Sequence, residues 1–103
     1  MITQAANAGA TDDPARNMQL LVTEIARALV DSPDEVTVEA IQENDSTVLR
    51  LRVAKTDIGK VIGKQGRTAR SLRTILGAAS MKLQHRFSLD IIEEDDHGEQ
   101  SPQ

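Results

Sequence analysis

The apolar residues of this chain change their spacing in a definite order, and that order leaves few folds open. Met18, Leu21, Val22, Ile25, Ala28 and Leu29 recur three and four residues apart and share one stripe of a helix. Asp12-Asp13-Pro14 opens that helix with an acidic N-cap and a proline in the first turn. Asp31-Ser32-Pro33 closes it, because the residue before a proline avoids the helical region. From Val36 to Gln42 the period becomes two. Val36, Val38 and Ala40 lie on one face, and Thr37, Glu39 and Ile41 on the other. Thr47 to Val53 alternates again, with Leu49, Leu51 and Val53 opposite Arg50 and Arg52. Glu43-Asn44-Asp45-Ser46 between the two runs is turn chemistry, so they predict a β-hairpin.

From Thr56 the period is helical once more. Thr56 or Asp57 can cap a short helix running to Ile62. Gly63-Lys64-Gln65-Gly66 interrupts it, and a longer helix follows from Arg67 to Gln84. Its stripe is Ala69, Leu72, Leu76, Ala79 and Leu83, widened by Ile75. Phe87, Leu89 and Ile91 alternate as a last strand. The order is α-β-β-α-α-β, which predicts an α+β domain of two layers, a three-stranded sheet with the helices on one face. If the second and third strands pair, the crossover makes them parallel, with a right-handed connection. Residues 14–93 form the expected domain. Residues 1–13 read as a disordered arm and residues 94–103 as a disordered acidic tail.

With 103 residues the chain is long enough for one domain with a modest core. It has no cysteine, which excludes disulfides and zinc knuckles. No apolar run approaches the roughly 18 residues of a membrane span. The first residues lack a secretory pattern, so a soluble cytoplasmic protein is the expectation. Phe87 is the sole aromatic residue, which disfavours modes that stack bases on exposed rings. The net charge of −4 hides a sharp division. Residues 55–86 carry eight bases and one acid, while residues 87–103 carry six acids and no Lys or Arg. The basic segment is also the one that holds the glycine loop.

Glycines at both ends of a two-residue link let two helices meet in a tight turn and let an anion approach the backbone. The helix that follows offers unpaired N–H groups and the positive end of its dipole. Lys64 and Arg67 add full charges, and Arg67, Arg70 and Arg73 form a stripe suited to a sugar–phosphate backbone. Gly59, Gly63 and Gly66 fit neither the dinucleotide fingerprint nor a Walker-type loop.

Val61-Ile62-Gly63-Lys64-Gln65-Gly66-Arg67 resembles the KH-domain signature, and the element order resembles its type II, prokaryotic form. The likeness covers about residues 17–93, including Leu29 to Val36, and is to the small single-KH bacterial proteins of the KhpA family. It implies a non-catalytic RNA-binding protein without a cofactor, in which the loop Gly63 to Gly66 holds the backbone of about four unpaired nucleotides. Lys60, Arg67 and Arg70 would add charge beside it. The bases would lie in a groove for which Ile58, Val61, Ile62 and Ala69 are candidates. Many KH domains carry a larger aliphatic residue where Ala69 stands, which implies a shallower groove here. The family likeness further implies RNA regulation or chaperoning, a link to cell shape, and pairing with a second copy or a KhpB-like KH protein.

Two other classes compete. In a DNA-binding helix-turn-helix, Arg67, Arg70 and Arg73 would read a major groove. In a pure interaction module, Ile41, Val48 and Ile92, on the strand faces opposite the expected core, would be part of a dimer surface; otherwise they are edge fillers, the usual case. An enzyme is disfavoured. His97 lies in the acidic tail, and His85 sits where a cation satisfies the carbonyls at a helix end. Glu93-Glu94-Asp95-Asp96 reads as a solvated run rather than a metal site. The tail could also fold back on the basic face and compete with RNA.

Overall fold

The computed structural model of the chain describes residues 13–93. Apart from Asp13, the arm and tail read from the sequence lie outside that range. Helix α1 spans Pro14–Leu29, strand β1 Thr37–Glu43 and strand β2 Ser46–Arg52. A short helix α2, Ile58–Ile62, and a long helix α3, Arg67–Leu83, lead to strand β3, Arg86–Ile91. The sheet order is β1-β2-β3. β1 and β2 are antiparallel, from Thr37 opposite Arg52 to Glu43 opposite Ser46. β2 and β3 are parallel, from Ser46 beside Arg86 to Leu51 beside Ile91. The α+β order and the parallel pairing are as the hydrophobic periods predict.

Asp13 caps α1 by accepting the Arg16 N–H at 3.3 Å, with Pro14 in the first turn. The buried line of α1 differs from the predicted stripe. Ala15, Val22 and Ala26 face the core, with Met18 and Ile25 partly covered. Leu21 and Leu29 stay 38% exposed, and Ala28 is exposed too. The alanines explain the rotation: small side chains let the helix lie close to the sheet. At that distance the Gln19 side chain reaches strand β1 and donates to the Val38 carbonyl at 2.7 Å. Counting only the large residues misplaces the face.

Asn44, at φ 45°, turns the hairpin. β2 is the central strand, and its Thr47, Leu49 and Leu51 are fully buried. Ile41 and Val48 are paired across the strands on the other sheet face, where both are half-buried. From α3, Ala69, Leu72 and Leu76 enter the interior. Ile75, expected to widen that stripe, is 47% exposed. Val22, Val36, Leu49, Leu51, Val61, Leu72, Leu76, Phe87 and Leu89 form one core between the helices and the sheet.

The end of α3 is fixed to the sheet by polar contacts. Gln84 takes a left-handed conformation, and the Ser80 hydroxyl accepts the Phe87 N–H at 2.9 Å. His85 does not serve the helix carbonyls as its position suggested. Its Nε2 lies 2.7 Å from the hydroxyl of the buried Thr47, and its ring packs on Phe87 with centroids 4.9 Å apart. The left-handed turn at Gln84 carries the ring past the helix end and onto the sheet, where Thr47 requires a partner. Leu76 is 1% exposed at the centre of the core. Leu76→Ala is expected to cost about 2–5 kcal/mol of unfolding free energy in urea titration. A loss below about 1 kcal/mol would contradict this placement of the core.

Candidate nucleic-acid interface

The loop between α2 and α3 is built by its two glycines. Gly63 has φ 79° and ψ 169°, a combination that side chains exclude. Its N–H closes α2 on the Gly59 carbonyl at 2.8 Å. A Cβ at Gly63 would collide with the Thr68 side chain and lie 2.8 Å from the Thr68 nitrogen. Gly66, at φ 73° and ψ 13°, turns the chain into α3 and donates to the Gly63 carbonyl at 3.0 Å. The Arg67 N–H bonds the Lys64 carbonyl. The N–H groups of Lys64 and Gln65, the two exposed tip residues, lie outside this hydrogen-bonded frame. Gln65 itself is left-handed, at φ 55° and ψ 26°. The loop is therefore a stiff turn that holds two backbone donors and one Lys at its tip, beside the positive end of a 17-residue helix.

A groove of about 520 Å³ runs from this loop to the end of β3. Ile62, Gly66 and Ala69 line one side, Ile91 and Glu93 the other, with Arg70, Arg73 and Asp90 between. Arg73 does not stand free on the surface. Its guanidinium donates to the Leu89 carbonyl through Nε at 3.4 Å and Nη2 at 3.2 Å. That contact ties α3 to the outer edge of β3.

The other wall of α2 is held by a buried carboxylate. Asp57 is 1% exposed. It accepts the Ser32 N–H at 3.0 Å, which links the start of α2 to the chain leaving α1. Asp57 stands at the cap position, yet its side chain makes no cap bond to its own helix. Lys60 Nζ lies 3.4 Å from Asp31 and 3.7 Å from Asp57.

The family described as KhpA/KhpB, KH domain, matches residues 19–91. The chain belongs to this family. Among its relatives is the RNA-binding protein KhpA of Treponema pallidum, 53% identical over 73 residues, which are 71% of this chain and 91% of that protein. The RNA-binding protein KhpA of Clostridium acetobutylicum is 48% identical over 75 residues, 73% of this chain and all of that protein. The corresponding protein of Aquifex aeolicus is 50% identical over 68 residues, 66% of this chain and 86% of that protein. The α-β-β-α-α-β architecture is that of a single KH domain, as the signature Val61 to Arg67 implied.

Within this KhpA/KhpB-type domain, Ile62, Gly66, Ala69 and Arg70 come together on the groove, and Gly63, Lys64, Gln65 and Arg67 form its loop end. Val61 is corrected: it is 0% exposed and belongs to the core rather than the groove. In α2 the side chains one residue apart diverge, so Val61 and Ile62 cannot both face the same surface. Ile58 is half-buried and is not among the groove-lining residues. Lys60 is placed between two carboxylates. The periods alone missed Ile91 and Glu93 as groove residues. The signal was available in the parallel pairing, which sets the end of β3 beside the start of α3. Gly63→Ala is expected to destabilise the domain more than Gly66→Ala. The latter meets open space and carries only the left-handed penalty of about 1–2 kcal/mol. Thermal denaturation of both variants checks the order, and equal losses would contradict it.

Proposed function

We propose that this chain is a non-catalytic RNA-binding protein that holds single-stranded RNA at Gly63-Lys64-Gln65-Gly66. The N–H groups at the loop tip, with Lys64 and Arg67, take phosphates. The groove beside Ile62, Ala69 and Ile91 receives bases, and Arg70 adds charge along its wall. The single observation that carries this reading is the rigid loop opening onto one end of a groove. Relatives named as RNA-binding proteins support it. Lys60 contributes less than its charge suggests, because a phosphate must compete with Asp31 and Asp57 for it.

One KH unit covers about four nucleotides. Linking two units raises affinity through effective concentration. We extend the proposal to a second KH unit, either another copy or a KhpB-like protein, and to post-transcriptional regulation or RNA chaperoning in the cytoplasm. Among the described residues no helix is long and apolar enough to cross a membrane, and no group of three acidic, His or Cys side chains could hold a metal ion.

The double variant Lys64→Asp, Gln65→Asp places two negative charges where phosphate would sit, on exposed positions that the core does not use. Binding to a single-stranded oligoribonucleotide should be lost while the circular dichroism spectrum is kept. Retained binding would reject the site. With about two to four phosphates contacted, log K against log salt should slope roughly −1.4 to −2.8. Preference for duplex DNA over single-stranded RNA in competition would favour the helix-turn-helix reading instead.

A further inference from the structure

The cations around the loop are unevenly neutralised. Lys60 has two carboxylates, and Arg73 is bound to the Leu89 carbonyl. Lys64, Arg67 and Arg70 are exposed, and among the described residues none of the three has an ion-pair partner. Glu93, the last described residue, lines the same groove as Arg70 and Arg73. Residues 94–103 follow Glu93 in the sequence. They carry Glu94, Asp95, Asp96 and Glu99 and no Lys or Arg. The family match ends at Ile91, so this segment lies beyond the part shared with the family.

We propose that residues 94–103 dock in the groove between Ile62 and Ile91, with their carboxylates on Lys64, Arg67 and Arg70, and compete there with RNA. Three observations point to this occupant. Glu93, which precedes the segment, lines the groove. Its charge is opposite to that of the three unpartnered cations. Its length is ample, since ten extended residues reach up to about 33 Å from a groove of about 520 Å³. The contact need not be strong. A short tether supplies an effective concentration in the millimolar range, so carboxylates whose dissociation constant lies about twofold to ninefold below that concentration would occupy the groove most of the time and weaken RNA binding about threefold to tenfold. RNA with several phosphates displaces them, whereas a ligand offering a single phosphate contact does not. The segment therefore acts as a filter against weak, non-specific RNA. The competition rests on the RNA-binding reading above; the docking itself does not.

The test uses the full chain and a charge-neutral variant, Glu94→Gln, Asp95→Asn, Asp96→Asn, Glu99→Gln. Amide spectra of the two, without RNA, should differ at Gly66, Arg67, Arg70 and Ile91. Fluorescence anisotropy with a single-stranded oligoribonucleotide should show the variant binding about threefold to tenfold more tightly at ~25 mM salt, with the difference vanishing near ~0.5 M. Differences confined to the residues next to Glu93 would overturn the docking, even with tighter binding, because that pattern means long-range repulsion alone. Equal affinity at low salt would overturn the competition. If neither protein binds RNA, the spectra still decide the docking, and the failure falls on the RNA-binding reading.

Discussion

The parallel pairing of β2 with β3 is the constraint on which the rest of this domain depends. Parallel neighbours cannot be joined by a tight turn, so the chain must leave one end of the sheet and return to the other. Here the returning connection is α2, the glycine loop and α3. The register from Ser46 beside Arg86 to Leu51 beside Ile91 then sets the end of β3 against the start of α3. Ile91 and Glu93 meet Gly66, Ala69 and Arg70 across one groove for that reason. Had β3 been antiparallel to β2, its last residues would lie at the opposite end of the sheet, beside the hairpin turn.

Two polar ties hold the groove open at a set width. On one side Asp57, out of solvent, accepts the Ser32 N–H and anchors α2 to the end of α1. A buried carboxylate is tolerable only with such partners, and Lys60 completes the set. On the other side Arg73 grips the Leu89 carbonyl at the outer edge of β3. That edge would otherwise present bare backbone groups; the Ser80 hydroxyl covers the Phe87 N–H in the same way. The loop between these ties has little freedom, since Gly63 sits in a region of backbone space that only glycine enters readily. The proposed phosphate site, made of backbone donors, would gain from this, because few conformations would be lost on binding.

Much of this arrangement could be read from the sequence. The strand and helix periods gave the element order, and the proline at Pro33 and the capping Asp13 gave the limits of α1. The loop was legible as Gly-Lys-Gln-Gly between two helical patterns, and the confined basic charge around it is what motivates the proposal of an anionic ligand. Three features were not legible, each for a physical reason. The buried face of α1 is set by alanines and by Gln19 reaching Val38, and small residues carry no weight in a hydrophobic count. The direction of Val61 depends on how a five-residue helix is rotated, which a short period cannot specify. The roles of Asp57, Arg73 and His85 arise from contacts with Ser32, Leu89 and Thr47, partners 25, 16 and 38 residues away. Local spacing has no access to such pairs.

The central claim is that the loop Gly63 to Gly66 and the groove beside it are where RNA lies. Ultraviolet crosslinking of the full chain to a short single-stranded oligoribonucleotide, with the adduct residues mapped by mass spectrometry, tests it most directly. The account predicts adducts within residues 62–70 and at Ile91 to Glu93. Adducts confined to the outer sheet face around Ile41 and Val48, or to the exposed face of α3 around Ile75 and Met81, would contradict it.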